Sequence, residues 1–150
     1  MKAKEYLLQL KKLDKLIENK LAERDQWYAI TTAVTQRLSA DRVQTSSNPH
    51  KMEDAVIKLM EVEKELDTAI DNFVDAKREI IATVTKLSET NETYYDVLHK
   101  IYVQYCTLDE VADLYKNSRN WADQTHGRAL KMIQRIIDDK ERKKTFPEKS

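Results

Sequence analysis

The strongest local pattern in the chain reads Thr107-Leu108-Asp109-Glu110-Val111-Ala112-Asp113-Leu114-Tyr115-Lys116-Asn117-Ser118-Arg119. A threonine at a helix N-cap can accept a hydrogen bond from the backbone three residues on, and a glutamate there can bond back to the cap's own N–H. Thr107 and Glu110 have this spacing. They predict the start of a short helix, with Val111, Ala112 and Leu114 on its buried side.

Ser118 has the same role for a second helix, because serine is a favoured N-cap residue. The two turns that follow it carry basic, amide and acidic side chains, namely Arg119, Asn120, Asp123 and Gln124. Two helices joined by a three-residue turn, the second opening with such side chains, are typical of a DNA-binding helix-turn-helix.

This segment resembles region 4 of sigma-70-type factors. The residues that match, without a gap, are Leu108 to Leu114, Ser118 with Arg119, and Arg128 to Leu130. The run from His126 to Leu130 also resembles small phage and prophage proteins of Gram-positive bacteria, which include the ArpU-type regulators of late genes. The likeness covers roughly residues 94 to 137. It departs from the family at Lys116 and Asn117, where the turn usually has a glycine and an apolar residue.

By this resemblance, the second helix enters the major groove, and Arg119, Asn120 and Gln124 occupy the positions at which the family contacts bases. Arginine can bridge guanine O6 and N7, and asparagine or glutamine can pair with adenine, so these residue types fit groove reading. Asp123 has two interpretations. It accepts a hydrogen bond from cytosine N4, or it orients Arg119.

Contacts to the DNA backbone are expected beside and beyond the bases, from Ser118, Arg128, Lys131 and Arg135. The alternative for the three cations is a solvated helix face. The spacing predicts a buried stripe on the opposite side of this helix, formed by Ala122, Ala129, Leu130, Ile133 and Ile137.

Three other residues of this helix need separate explanations. Trp121 either completes the core or packs against deoxyribose at the groove edge. His126 is expected to be half-buried rather than catalytic or a ligand. Gly127 costs about 1 kcal/mol relative to alanine in a helix, which a close approach by the support helix predicted at Tyr94 to Tyr105 would explain.

Hydrophobic spacing predicts two long helices in the N-terminal half. The first runs from Ala3 to about Leu38, and a polar loop from Ser39 to His50 follows it. The second runs from Lys51 to Leu87 and has an apolar residue at every seventh position: Met52, Leu59, Leu66, Phe73, Ile80 and Leu87. A second apolar column is expected at Val56, Ile70 and Val84, interrupted by Glu63 and Lys77. This repeat is typical of a coiled-coil-like helix.

Charge separates these two helices. Residues 1–51 carry 10 Lys or Arg against 6 Asp or Glu, and residues 52–90 carry 5 against 10. A basic helix followed by an acidic one favours an antiparallel hairpin, because each helix would repel a copy of itself. The hairpin is either a scaffold or an element for oligomerisation or partner docking, since two helices cannot cover so wide an apolar stripe.

The predicted class is therefore all-α. With only 1 Gly and 2 Pro in 150 residues, the composition favours long helices. The expected domains are a long N-terminal helical hairpin at residues 1–87, a helix-turn-helix domain at residues 93–140, and a basic flexible tail at residues 141–150.

The composition argues against several classes of function. The chain has 3 scattered His, 1 Cys and 1 Gly, so we expect no metal site, no internal disulfide and no glycine-rich phosphate loop. No cofactor and no enzymatic activity are expected. No apolar run approaches the ~20 residues of a membrane span, and no signal peptide opens the chain. We therefore expect a cytoplasmic protein of a bacterial host cell, without membrane contact.

The expected function is that of a phage-encoded transcriptional regulator that binds double-stranded DNA in a sequence-specific way. The resemblance implies that it acts at promoters with RNA polymerase, and the N-terminal helices predict a homodimer or higher oligomer. One alternative is a small-terminase-like DNA-packaging subunit, which a ring-shaped oligomer would favour. The other is a helical protein-interaction adaptor that does not bind DNA. The acidic face of Asp109, Glu110 and Asp113 favours the adaptor, whereas residues 116–144, with 9 Lys or Arg against 4 Asp or Glu, argue against it.

Overall fold

The computed structural model describes residues 1–40 and 49–145, and all regular structure in these two ranges is helical. The α-helices are α1 (Ala3–Ala40), α2 (Pro49–Leu87), α3 (Glu92–Leu98), α4 (Leu108–Leu114) and α5 (Arg119–Thr145). α3 continues directly into a π-helical turn, His99–Val103. The predicted all-α class is confirmed.

Two of the predicted boundaries differ from the structure. α1 extends to Ala40 and α2 begins at Pro49, so both ends of the expected loop are helical, and residues 41–48 lie outside the described residues. α5 extends to Thr145, so residues 141–145 of the expected flexible tail are also helical, and residues 146–150 again lie outside the description. Basic residues in the last turn of α5 favour this extension, because cations interact well with a helix C-terminus.

The chain divides into two compact units, and their boundaries differ from the predicted domains. The first unit contains Met1–Lys12 together with the chain from Val74 onward, and the second contains Leu13–Phe73. The predicted hairpin domain ends at residue 87, which is also the last position of the heptad repeat. Loss of a repeat marks the end of a helix, whereas a compact unit is defined by which apolar side chains are buried together.

All five helices contribute to the core of the first unit. Its buried apolar side chains are Ala3, Tyr6, Leu7 and Leu10 of α1, Ile80, Val84 and Leu87 of α2, Val97 and Leu98 of α3, Tyr102 of the π-helical turn, Val111 and Ala112 of α4, and Ala122, Ala129, Ile133 and Ile137 of α5. Each large aliphatic side chain removed from water stabilises the fold by about 1.5–3 kcal/mol. The core also contains a polar side chain, Thr83, whose Oγ1 lies 2.9 Å from the Tyr6 hydroxyl and also accepts a hydrogen bond from Lys140 Nζ.

The second unit is formed by α1 and α2 alone among the described residues. Between the two helices, Lys20 Nζ donates to Glu65 Oε2 at 2.5 Å, and within α1 it donates to Glu23 Oε2 at 3.1 Å. These are exposed pairs, which contribute about 0–1 kcal/mol each. The apolar side chains of the unit therefore supply most of its stability.

The predicted second column of α2 is confirmed in part, since Val84 is buried and Val56 is half-buried. The first column, from Met52 to Leu87, is buried or half-buried at all positions, as the spacing predicts. Ile70 of the expected second column is 39% exposed, whereas the buried side chains three residues after the first column are Ala55, Val62, Ala69 and Thr83. These smaller side chains allow a neighbouring helix to approach more closely, because interaxial distance depends on the residues at the contact.

The turn between α4 and α5 is a Schellman motif centred on a lysine. Lys116 has a φ of 51°, in the left-handed region. Its N–H bonds to the carbonyl of Asp113 at 3.1 Å, and the N–H of Asn117 bonds to the carbonyl of Ala112 at 2.9 Å. These two hydrogen bonds satisfy carbonyls at the end of α4 and fix the direction in which the chain enters α5.

Replacing this lysine by glycine should stabilise the protein. A residue with a Cβ costs roughly 1 kcal/mol in the left-handed region, and glycine avoids this cost. We expect Lys116→Gly to raise the free energy of unfolding by about that amount, measured by urea denaturation. Lys116→Ala is the matched control, since it removes the same charge but keeps the Cβ. An equal gain in both variants would contradict the backbone explanation.

Candidate nucleic-acid interface

α4 begins with the predicted cap, but the reciprocal half of the capping box is different. Thr107 Oγ1 accepts a hydrogen bond from the Glu110 N–H at 3.1 Å, as expected. The Glu110 carboxylate bonds to the Thr107 hydroxyl at 3.3 Å rather than to the Thr107 backbone N–H. The Thr107 hydroxyl therefore both accepts and donates a hydrogen bond. The start of α4 is set by two residues that are three positions apart in sequence.

α5 begins at the second predicted cap. Ser118 Oγ accepts a hydrogen bond from the Trp121 N–H at 3.0 Å, and Asn117 Oδ1 accepts one from the Ser118 N–H at 2.9 Å. Two short polar side chains therefore satisfy backbone donors at this end of the helix. Ser118 is one of the residues predicted to contact the DNA backbone. In this structure its hydroxyl oxygen accepts a hydrogen bond from the Trp121 N–H.

The outward face of α5 carries most of the side chains predicted to contact DNA. Asn120, Gln124, Arg128, Lys131 and Arg135 are all exposed. Their spacing of four, four, three and four residues places them in one strip along the helix. The opposite side is buried by Ala122, Ala129, Ile133 and Ile137. Leu130, predicted to belong to that buried stripe, is half-buried at its edge. The amides lie toward the N-terminus of the strip, and the cations follow them.

Arg119 is paired with Asp109, a partner that the sequence pattern does not predict. Its Nη1 lies 2.9 Å from Asp109 Oδ1, in the first turn of α4. The expected alternative partner, Asp123, is exposed and does not bond to Arg119 in the described part of the chain. Arg119 and Asp109 are ten positions apart on two helices, so the Schellman turn brings them together. The pair is exposed, and its contribution to stability is therefore about 0–1 kcal/mol.

Trp121 is half-buried beside α4. Its ring lies 5.0 Å from that of Tyr115, tilted by 46°. The Tyr115 hydroxyl donates to one carboxylate oxygen of Asp96, Oδ2. The other oxygen, Oδ1, accepts a hydrogen bond from Lys100 Nζ at 2.7 Å. Burial, followed by the bond to Asp96, raises the pKa of Tyr115 to about 12. This arrangement links the end of α4 to α3 and to the first turn of α5.

His126 is half-buried, as expected, and it stacks on Tyr102. The Tyr102 hydroxyl lies 2.7 Å from His126 Nε2, and the rings are 5.7 Å apart. Burial is the main cause that lowers the pKa of His126, with a further lowering by Lys4 and an opposing effect of Asp123. Burial also raises the pKa of Tyr102 to about 12. The neutral imidazole is therefore the form that the folded protein favours.

This preference predicts that stability falls as the solution becomes acidic. A lowered histidine pKa means that the unfolded chain binds more protons, so stability is retained above the unfolded value of about 6.5 and lost as the pH falls below it. Burial also lowers the pKa of His99. We expect the urea concentration at the midpoint of unfolding to decrease as the pH is lowered from about 7 to about 5.5.

His126→Gln and His99→Gln should each remove part of that pH dependence, and the double variant should remove most of it. Glutamine keeps a polar side chain of similar size but does not titrate in this range. A wild-type slope in the double variant would show that neither imidazole is responsible.

Gly127 is not explained by a close approach of another helix, contrary to the expectation. A Cβ built on Gly127 would meet no atom within 4 Å, apart from its own helix backbone and its two chain neighbours. The residue is also in an ordinary helical conformation, since it is not among the positive-φ residues. In the isolated chain, glycine at this position therefore has only the entropic cost of its backbone freedom.

Gly127→Ala should accordingly stabilise the protein by about 1 kcal/mol, as measured by thermal or urea unfolding. Gly127→Val is a useful comparison, because valine also has a Cβ but has a lower helix propensity than alanine. We expect it to gain less than alanine does. A loss of stability in the alanine variant would indicate a contact at this position.

The N-terminus of α1 packs against α5, which the division into domains did not predict. Gln134 Oε1 accepts a hydrogen bond from the Ala3 N–H at 2.6 Å, and Gln134 Nε2 donates to the Met1 carbonyl at 2.9 Å. The Met1 ammonium lies 2.9 Å from Glu141 Oε1. Nothing in the local sequence pattern signals these contacts, because the partners are more than 130 positions apart.

The two compact units have opposite charges. The first carries 18 Lys or Arg against 14 Asp or Glu, and the second carries 8 against 12, which gives net charges of +4 and −4. The neutral total of the chain hides this separation. The strip on α5 belongs to the first unit, whose net charge is positive. A nucleic-acid interface requires positive charge, because it binds phosphates.

Comparisons with protein-family models, with curated proteins and with solved structures found no match to this chain. The resemblance to sigma region 4 therefore stays a prediction from the residues that carry it. Within residues 1–40 and 49–145, no group of three or more His, Cys, Asp or Glu side chains could hold a metal ion. In the same part of the chain, no helix is both long enough and apolar enough to cross a bilayer.

Proposed function

We propose that this protein is a sequence-specific regulator of transcription that binds double-stranded DNA through α5. The observation that carries the proposal is the exposed strip from Asn120 to Arg135, which begins with amides and continues with cations. B-form DNA admits one α-helix into its major groove. The N-terminal turns of α5 would read base edges there, and the later cations would contact phosphates.

Arg119 would take part in base reading from a fixed position. Asp109 holds its guanidinium on the α4 side of α5. An arginine that is already held in position loses less side-chain entropy when it binds guanine. The Asp109 carboxylate is paired with Arg119, whereas an unpaired carboxylate would be repelled by nearby phosphates. The pairing therefore supports a role for Arg119 beside Asn120 and Gln124. In this proposal Asp109 orients Arg119, which was one of the two interpretations of Asp123.

The partners follow from the same proposal. The resemblance to sigma region 4 favours action at promoters together with RNA polymerase, in a phage-encoded regulator. Self-association through the second unit is supported by its large exposed apolar side chains, namely Leu16, Leu21, Tyr28, Ile30, Ile57, Met60 and Ile70. A homodimer would place two copies of α5 on two half-sites, as is usual for regulators of this type.

A second candidate function is supported by the outward face of α4. Asp109, Glu110 and Asp113 are exposed there, and Leu114 is 60% exposed beside them. An apolar residue among carboxylates suits a basic protein surface better than it suits DNA. This feature favours a protein adaptor in which the α4–α5 segment binds another protein.

Selection from random duplexes, followed by fluorescence anisotropy over a range of salt concentrations, would distinguish the two functions. We expect enrichment of one sequence and binding that weakens steeply with salt. Gln124→Ala should reduce the preference for that sequence by about 1–3 kcal/mol, because one bidentate base contact is lost. Gln26→Ala, at an exposed glutamine of the second unit, should leave the preference unchanged. No enrichment and no binding at low salt would instead favour the adaptor.

A further inference from the structure

α2 carries a second stripe at helical spacing, beside the one that is buried. Its positions are separated by four, three, four and three residues, and they are Glu63, Asp67, Ile70, Val74 and Lys77. At 100° per residue, they lie within an arc of about 80°. All of them belong to one uninterrupted α-helix, so the helical period alone fixes their placement. We call these five positions the outer stripe of α2.

The outer stripe is exposed, although its two central positions are apolar. Ile70 is 39% exposed and Val74 is 41% exposed. The buried positions of the same turns, Leu66 and Ala69, are centred about 90° around the helix from the stripe. Beyond its centre the stripe borders an open groove, which is lined by Val74, Lys77, Arg78, Ile81 and Ala82. Apolar surface is therefore left in contact with solvent along this side of α2.

Charge changes sign along the outer stripe. Two carboxylates, Glu63 and Asp67, precede the apolar centre, and a cation, Lys77, follows it with Arg78 beside it. All four side chains are exposed. Neither carboxylate forms a salt bridge with a described residue. The net negative charge of residues 52–90 disfavours pairing of α2 with a copy of itself, but this one side of the helix is complementary to itself when it is reversed.

We propose that the outer stripe of α2 binds the outer stripe of a second copy of the chain, in an antiparallel and two-fold symmetric pairing. This inference rests on the self-association included in the proposed function, and it gives that association a surface and a direction. A two-fold axis at the level of Asn72 places Asp67 opposite Lys77 of the partner subunit. The same axis places Ile70 opposite Val74 of the partner subunit, as in the layers of an antiparallel coiled coil.

The direction of the pairing follows from the charges. A parallel pairing would place each residue of the stripe beside its own copy, so Asp67 would face Asp67 of the partner subunit, and these carboxylates would repel each other. In the antiparallel pairing the charged contact is attractive, and the two-fold symmetry forms it twice. Exposed ion pairs add little affinity. The apolar centre therefore holds the two copies together, and the charges select the antiparallel direction.

The test exchanges the two charges and measures the dissociation constant of the dimer by sedimentation velocity, with the full-length protein. Asp67→Lys places two lysines at each charged contact, and Lys77→Asp places two carboxylates there. The double variant restores the attraction with the signs exchanged. The two residues are about 15 Å apart along one helix, so the exchange restores a contact only between copies. Asp75→Lys is the matched control, because it makes the same charge change at an exposed position about 120° around α2 from the stripe.

Each single variant should raise the dissociation constant by roughly tenfold or more, and the double variant should return it to within about threefold of the wild-type value. The control should match wild type, and thermal unfolding would verify that all variants fold. A wild-type protein that stays monomeric, or a double variant as weak as the single ones, would overturn the inference. Sequence selection by α5 is measured separately with the random duplexes. Charge rescue of the dimer without any selection of duplexes would overturn DNA reading and leave the interface intact.

Discussion

The burial of one side of α5 is the interaction on which the first unit is built. Ala122, Ala129, Ile133 and Ile137 form that side, and α3 and α4 pack against the helix. α1 is joined to it through Gln134, and α2 is joined to it through the hydrogen bond from Lys140 to Thr83. The two alanines permit close helix packing. Because this side must face the core, the opposite side must face solvent, and the candidate interface lies there.

Polar contacts then fix the orientation of the helices that the apolar core holds together. Thr83 interacts with both Tyr6 and Lys140, His126 bonds to Tyr102, and Asp96 accepts hydrogen bonds from Lys100 and Tyr115. A buried polar group that loses its partner costs about 1–3 kcal/mol, which is more than the net gain from making the bond. Such contacts therefore disfavour alternative packings more than they add to stability.

Charge is arranged according to the compact units rather than to the helices in chain order. α1 begins in the positive unit and continues into the negative one, and α2 does the reverse. A duplex would be attracted to the first unit and repelled by the second, since the net charges are +4 and −4.

Local sequence was sufficient for the features whose causes lie within one or two helical turns. Thr107 and Ser118 start α4 and α5 because a cap requires only an oxygen three residues from an N–H. The strip on α5 and the first heptad column of α2 follow from the helical period. The all-α class follows from composition and from these periods together.

Features that depend on which helices meet were not accessible from the pattern. Ala55, Val62 and Ala69 are buried in place of the larger Ile70, because burial depends on the side from which α1 approaches. Arg119 pairs with Asp109 because a left-handed Lys116 turns the chain between them. The start of α1 joins α5 through contacts more than 130 residues apart. Periodicity defines the faces of a helix, but the choice of partner for each face is a property of the packed core, which minimises exposed apolar area and unpaired polar groups across the whole unit.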